Sequence, residues 1–437
     1  IHYMRGFFMR SLMISGHRRL RGMINVQGSK NSVLPVMAAA LLTEDKVIIE
    51  NCPAITDVYH MQKVMQAAGA ECDIENDIVT VRSGMLKSAP DEEYCARFRA
   101  SSLFMGVFLA VCGSFVMPYP GGCNIGSRPL NYHIDGLRSL GAVVEEAGGY
   151  IIGYCRKLKG GSYEFPYPSV GALENIILAA VRAEGKTCLT NCAKEPEIVD
   201  LCDCLKMMGA DIDGAGTGTI IINGKATLHG CRYRVPGDRI AAGTYMAGCA
   251  IAGGNICLRG IEPERLTAVS DILQKMGCHL FTDKKSNEII VMADGRRRAV
   301  TSVVTGPYPE FPTDMQAQIM SVLAYSGGCC DIYDNVFENR YNAAGELVRM
   351  GAVISVSGGH ARVCGRPALK GARVCATDLR CGAALVIAAL GADCTIVDGC
   401  SYICRGYEDI QRDLEQLGAD IKWIPGEELT EDLELQS

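Results

Sequence analysis

Arg349-Met-Gly-Ala-Val-Ile354 closes a short helical pattern on Gly351 and passes at once into β-branched residues. A glycine at that point reads as a left-handed helix cap. The same signature recurs as Met65-Gln-Ala-Ala-Gly-Ala70, Arg138-Ser-Leu-Gly-Ala142, Lys206-Met-Met-Gly-Ala210, Lys275-Met-Gly-Cys278 and Gln416-Leu-Gly-Ala419. The glycines fall at 69, 141, 209, 277, 351 and 418, in steps of 72, 68, 68, 74 and 67. Self-similarity this regular means one supersecondary unit used six times.

Each unit carries a second, more apolar helix. These start near Ser29-Lys-Asn31, Arg99-Ala-Ser101, Ser169-Val-Gly171, Asp238-Arg-Ile240, Thr313-Asp-Met315 and Thr377-Asp-Leu-Arg380, and run on through stretches such as Leu34–Leu42 and Ala383–Leu390. A helix apolar on every face is buried on every face. Each unit therefore supplies an interior helix, an outer helix and strands between them. Three units closing around their interior helices make one domain and six make two, of α/β class.

Composition agrees with a large globular core: 437 residues, 48% hydrophobic and 21% charged. A net charge of −6 excludes a dedicated nucleic-acid binder. Any positive charge for an anionic ligand must be local. The 22 cysteines are about five per cent of the chain, too sparse for a small disulfide framework. No C-x-x-C pair occurs and seven histidines are scattered, so no metal site is expected. Most of the thiols, including the adjacent Cys329 and Cys330 in apolar surroundings, read as buried small hydrophobes in a reducing cytoplasm. The uncharged run Ser101–Met117 is broken at Gly113-Ser114 and ended by Pro118, which reads as a buried helix running into a strand, with no membrane insertion. Ile1–Met9 lacks the apolar core of a secretory signal.

Two features carry chemistry. In Pro120-Gly-Gly-Cys-Asn-Ile-Gly-Ser-Arg-Pro129, Cys123 follows two glycines and precedes Arg128 by five residues. A reactive thiol needs an approachable backbone and a nearby cation, although a surface turn with an incidental thiol has the same composition. The interior-helix starts carry Ser, Thr and Asp, the ordinary N-caps. They also carry Lys30, Arg99, Arg239 and Arg380. Cations oppose the dipole at a helix N-terminus, and an anionic ligand offsets that cost. An active site where two sets of helix starts face each other is the expectation.

Taken together, these features resemble the UDP-N-acetylglucosamine enolpyruvyl transferases (1-carboxyvinyltransferases) over about Ile14 to Lys422. Matching stretches, in family order, are Gly28-Ser-Lys-Asn-Ser-Val-Leu-Pro35, the Pro120–Pro129 loop, Ser169-Val-Gly171, Glu195-Pro-Glu-Ile198, Phe311-Pro-Thr-Asp-Met-Gln-Ala-Gln318, Phe337-Glu-Asn-Arg340, Ala376-Thr-Asp-Leu-Arg380 and Arg405-Gly-Tyr407. The resemblance implies two inside-out α/β barrel domains of three repeats each. One spans residues 30–237; the other combines both chain ends, 1–29 and 238–437.

It also implies a reaction. The enolpyruvyl group of phosphoenolpyruvate, a co-substrate, moves to the 3′-hydroxyl of UDP-N-acetylglucosamine with release of phosphate, in the first committed step of peptidoglycan synthesis. No cofactor or metal is implied, and the enzyme would be cytoplasmic, a monomer or weak homo-oligomer, and a fosfomycin target. By motif match Asp314 is the base and Cys123 the general acid or covalent nucleophile. Lys30, Arg128, Arg380 and Arg405 bind phosphoenolpyruvate, with Lys30 and Arg405 also counted as catalytic. Ser169, Val170 and Gly171 match the diphosphate site, and Arg128, Pro129, Leu130, Asn131 and Tyr132 the segment on uracil. Asn31, Arg99 and Val336 match sugar-nucleotide contacts. Arg340 is a supporting arginine, and Asp378 stands in the substrate-binding Thr-Asp-Leu-Arg motif.

Some positions depart from the family pattern: Ala241 and Cys404 where carboxylates are usual, Asn131 for Asp, Tyr167 for a lysine, Glu310 for a small residue, and Asn342-Ala-Ala344 where a histidine is expected. These leave two alternatives open: a UDP-sugar-binding paralogue with weak catalysis and a regulatory role, or a transferase for another UDP-sugar.

Overall fold

The computed structural model describes residues 10–89, 92–121, 126 and 129–425. The chain divides into two compact units. One comprises Gln27–Asp238 with Pro307–Glu310; the other comprises Ile1–Val26, Arg239–Gly306 and Phe311–Ser437. Each has its own apolar core.

In the unit that begins at Gln27, interior and outer helices alternate along the chain. They are α1 (Lys30–Ala39) and α2 (Thr56–Ala67), α3 (Phe104–Cys112) and α4 (Asn131–Ser139), α5 (Val170–Ala180) and α6 (Pro196–Met207). The other unit repeats the order: α7 (Arg239–Ala252) and α8 (Thr267–Lys275), α9 (Gln316–Ala324) and α10 (Asn342–Arg349), α11 (Leu379–Ala389) and α12 (Ile410–Gln416). The two kinds differ as their sequences require. All eleven residues of α11 are buried, whereas α8 buries only Val269 and Leu273.

The six repeat glycines end the outer helices in the left-handed region, with φ from +86° at Gly141 to +109° at Gly277. Only glycine enters that region without a Cβ penalty, which is why the punctuation survives in every unit. Five of the outer helices then lead into an antiparallel hairpin, such as Val353–Ser357 with His360–Cys364, whereas α12 leads into Asp420–Pro425, which pairs with Arg10–Ser15.

Five of the six sheets have four strands; the hairpin Val143–Ala147/Tyr150–Tyr154 with Ser114–Pro118 makes a three-stranded one. In the four-stranded sheets an edge strand pairs in parallel with its neighbour, and both units are closed by strands distant in sequence. Arg232–Arg234 runs parallel to Val47–Glu50. Leu20–Asn25 runs parallel to Gly254–Arg259, and Arg10–Ser15 lies between Thr395–Asp398 and Asp420–Pro425. Arg10–Ser15 thus shares a sheet with the last described strands, and Leu20–Asn25 joins one from the middle of the chain.

Polar side chains tie the interior helices of that unit together. Ser321 and Tyr325 of α9 donate to the carbonyls of Ala384 and Ala388 on α11, at 2.9 and 2.6 Å. Gln318 donates to Thr244 of α7 at 3.2 Å, and the Thr244 and Tyr407 hydroxyls lie 2.7 Å apart. These bonds fix how the helix tips stand relative to one another.

The cysteines correct one expectation. Cys329 is exposed, not buried, and is bonded to Cys364 directly across the Cys329–Asp334/His360–Cys364 strand pair. A solvent-facing strand position brings the two sulfurs together; the apolar context of Cys330 belongs to the opposite face. Eleven of the described free cysteines are buried, and burial pushes thiols such as Cys72 and Cys381 up to about 12.

Candidate active site

In the unit containing α1, the start of that helix is built on a close backbone approach. A Cβ on Gly28 would stand 1.8 Å from the Asn51 carbonyl oxygen, so the position admits only glycine. Ser29 then caps α1, accepting from the Ser32 amide at 3.3 Å. The Ser32 hydroxyl donates to Asp200 at 2.6 Å. Lys30 follows, its amide bonded to Asp238 and its ammonium 2.9 Å from the buried carboxylate of Asp57. Asn31 and Arg99 are half-buried, Arg99 opening the short 3-10 turn before α3.

The start of α5 is different. Ser169 makes no side-chain cap bond, so the first amides of that helix keep their donors. Asn175, further along α5, accepts from the Gly106 amide through its Oδ1 at 2.7 Å, and its amide nitrogen lies 3.3 Å from His133 Nδ1. Val170 and Gly171 are half-buried at the tip. Leu130 is buried, Tyr132 half-buried, and Pro129 and Asn131 exposed. Cys123 and Arg128 lie outside the described residues.

In the other unit, Asp314 sits in the 3-10 turn Thr313–Met315 leading into α9. Its Oδ1 accepts from Arg340 Nη2 at 2.5 Å and its Oδ2 from Arg380 Nη2 at 2.6 Å. Both arginine side chains are more than 90% buried, while the Asp314 side chain keeps 22% exposure. Burial alone would raise this carboxyl; the charges and hydrogen bonds of Arg380 and Arg340 outweigh it and hold the group well below the usual range. Asp314 is ionised at neutral pH.

Asp378 is the cap of α11: its Oδ1 accepts from the Arg380 and Cys381 amides at 2.9 Å each. Its Oδ2 accepts from Asn342 at 2.9 Å, so the residue standing where a histidine is usual still makes a bond here. Asp378 thereby holds the helix turn that aims Arg380. Arg405, half-buried, ends the 3-10 turn Ile403–Arg405, and Val336 is half-buried in the loop leading to Arg340. Sequence reasoning missed Asp334, whose carboxylate binds both this loop and Thr313. An acid two residues ahead of Val336, at the end of an apolar-alternating strand, was the available signal.

Two further findings bear on the sequence reading. The cations at helix starts are balanced in part by the protein's own carboxylates, Lys30 by Asp57 and Arg380 by Asp314, and not by a ligand alone. Ala241 is buried in the apolar core of its unit. A depression of about 810 Å³ on the outer face of the sheet holding Leu20–Asn25, lined by Arg21, Met23, Cys257 and Met292, contains none of the expected site residues. Among the described residues no group of His, Cys, Asp or Glu is arranged to hold a metal, and no helix is long and apolar enough to cross a membrane.

Six repeats around buried helices, with charged groups gathered at the helix tips, define an α/β fold of the enolpyruvyl-transferase type. The enolpyruvyl transferase NikO from Streptomyces tendae superposes with a TM-score of 0.86 at 25% identity, over 96% of this chain and 100% of that one. An EPSP synthase from Acinetobacter baumannii shares the fold at TM-score 0.72 and 20% identity, over 95% of this chain and 100% of that one. The chain belongs to the EPSP synthase (3-phosphoshikimate 1-carboxyvinyltransferase) family, whose model matches residues 14–414. Within it, a relative from Oleidesulfovibrio alaskensis named UDP-N-acetylglucosamine 1-carboxyvinyltransferase is 42% identical, over 95% of this chain and all of its own. One of the same name from Nitratidesulfovibrio vulgaris is 43% identical, over 95% and 99%.

Proposed function

We propose that this protein transfers the enolpyruvyl group of phosphoenolpyruvate to the 3′-hydroxyl of UDP-N-acetylglucosamine, releasing phosphate, in the cytoplasm and as a step of peptidoglycan synthesis. The observation that carries this reading is Asp314 held ionised between Arg340 and Arg380, in a chain 42–43% identical, over 95% of its length, to transferases of that name.

The chemistry is addition followed by elimination through a tetrahedral intermediate. The hydroxyl must lose a proton while the methylene carbon gains one, and a positioned acid or base contributes about 10²–10⁴ in rate each. Asp314 serves as the base. Cys123, a thiol whose reference pKa of about 8.5 leaves it protonated at neutral pH, serves as the acid or adds covalently to phosphoenolpyruvate. Lys30, Arg128, Arg380 and Arg405 receive its phosphate and carboxylate, guanidinium groups matching such anions in bidentate fashion. The uncapped start of α5 at Ser169–Gly171 suits a diphosphate.

Arg380 then has two partners to choose between. In the free protein it holds Asp314. When the anionic co-substrate engages it, Asp314 loses one of its two cations and its proton affinity rises, which is what a base needs at the moment the hydroxyl is deprotonated. The test is phosphate release with both substrates present, compared with Asp314→Ala and Cys123→Ala, alongside alkylation of Cys123 by fosfomycin. Release no faster than in the variants would leave only the sugar-binding reading.

A further inference from the structure

Asp334 is 6% exposed and ends the strand Cys329–Asp334. Four donors converge on its carboxylate. Oδ1 accepts from the Thr305 hydroxyl at 2.8 Å and from the amides of Val336 and Phe337 at 3.0 Å each. Oδ2 accepts from the Thr313 hydroxyl at 2.7 Å. Thr313 in turn accepts from Arg340 Nη1 at 3.0 Å, and the other terminal nitrogen of Arg340 holds Asp314.

One carboxylate therefore governs two segments far apart in sequence. Through its amide bonds it fixes the turn bearing Val336. Through Thr313 it fixes the guanidinium plane of Arg340, whose position then fixes Asp314. Oδ1 thus serves the turn and Thr305, and Oδ2 serves Thr313.

We propose that Asp334 is a positioning residue for the transfer reaction, setting the direction of Asp314 through Thr313 and Arg340 and, separately, the Val336 turn. This rests on the transferase reading above. Two arms predict two different defects. Thr313→Val removes only the Arg340 arm, and misplacing a reacting group by about 1 Å can cost about 10²-fold. Asp334→Ala removes both arms.

The experiment measures kcat and KM for UDP-N-acetylglucosamine in Thr313→Val, Thr313→Ser and Asp334→Ala, normalised to folded protein by thermal melting. Thr313→Val should lower kcat by about 10–10²-fold with KM within about twofold. Thr313→Ser, which keeps the hydroxyl, should recover most of the loss. Asp334→Ala should lower kcat and raise KM together. Wild-type kcat in Thr313→Val, or a serine variant no better than the valine one, overturns the proposal. Hydrogen exchange at Val336 and Phe337 in the same proteins decides the positional claim without turnover. Faster exchange in Asp334→Ala but not in Thr313→Val supports it, and unchanged exchange in Asp334→Ala overturns it. A wild-type protein that releases no phosphate speaks against the transferase reading instead.

Discussion

Arg380 reaches from the first turn of α11 to Asp314 at the entry to α9, closing a 2.6 Å charge-assisted bond between residues 66 positions apart. The bond joins a cation and an anion that the proposed reaction would use apart: one to receive substrate, the other to accept a proton. Their pairing in the free protein keeps both charged groups partly desolvated without leaving either uncompensated, a state that would cost several kcal/mol.

The pairing has a pH signature. The acid limb of kcat/KM reports the free enzyme, so in the wild type the Asp314 step should lie below the ordinary carboxylate range. Arg380→Gln removes the leading lowering cause and should move that limb upward, besides raising KM for phosphoenolpyruvate. Arg380→Lys should recover the limb better than the KM, because a lysine keeps the charge but not the planar fork. A limb in the same place in all three proteins contradicts the assignment.

Asp378 should act on stability first. It satisfies two amides at the start of α11 and binds Asn342. Asp378→Ala should cost about 1–2 kcal/mol in urea unfolding, and Asp378→Asn far less, since asparagine caps as well as aspartate. Equal losses in the two variants would mean the charge, not the cap, carries the effect.

Glu174, on α5, gives the opposite pH behaviour. Burial, then the neighbouring charges of Glu197 and Glu195, push its carboxyl well up. A folded value raised above the unfolded one gives stability that is whole below about pH 4.3 and lost as pH rises toward the folded value. Across that window the slope for one proton reaches about 1.4 kcal/mol per pH unit. Glu174→Gln should flatten this dependence and gain on the wild type as pH rises. Parallel curves for the two proteins would refute it.

The Cys329–Cys364 bond closes a separation of 35 residues. Denatured but unreduced protein should show two fewer titratable thiols than its 22 cysteines, the full number returning on reduction. All 22 reacting without reductant would contradict the bond.

The six-fold repeat was legible because its marks are local: a glycine at positive φ after an amphipathic turn, then β-branched residues, six times. The interior helices were equally legible, since α1 and α11 are apolar on every side. Asp314, Arg340 and Arg380 were each picked out by motif, but not their union, because nothing local to residue 314 encodes partners at 340 and 380. Asp334 escaped for the same reason: its Thr305 and Thr313 bonds depend on strand ends meeting in space. The Cys329–Cys364 bond needed the strand register, which composition does not supply.

The most direct test is inorganic phosphate release from phosphoenolpyruvate by the purified protein. Release should require UDP-N-acetylglucosamine and fall by about 10²-fold or more in Asp314→Ala. Release that ignores the sugar nucleotide, or that Asp314→Ala sustains at the wild-type rate, would contradict the account.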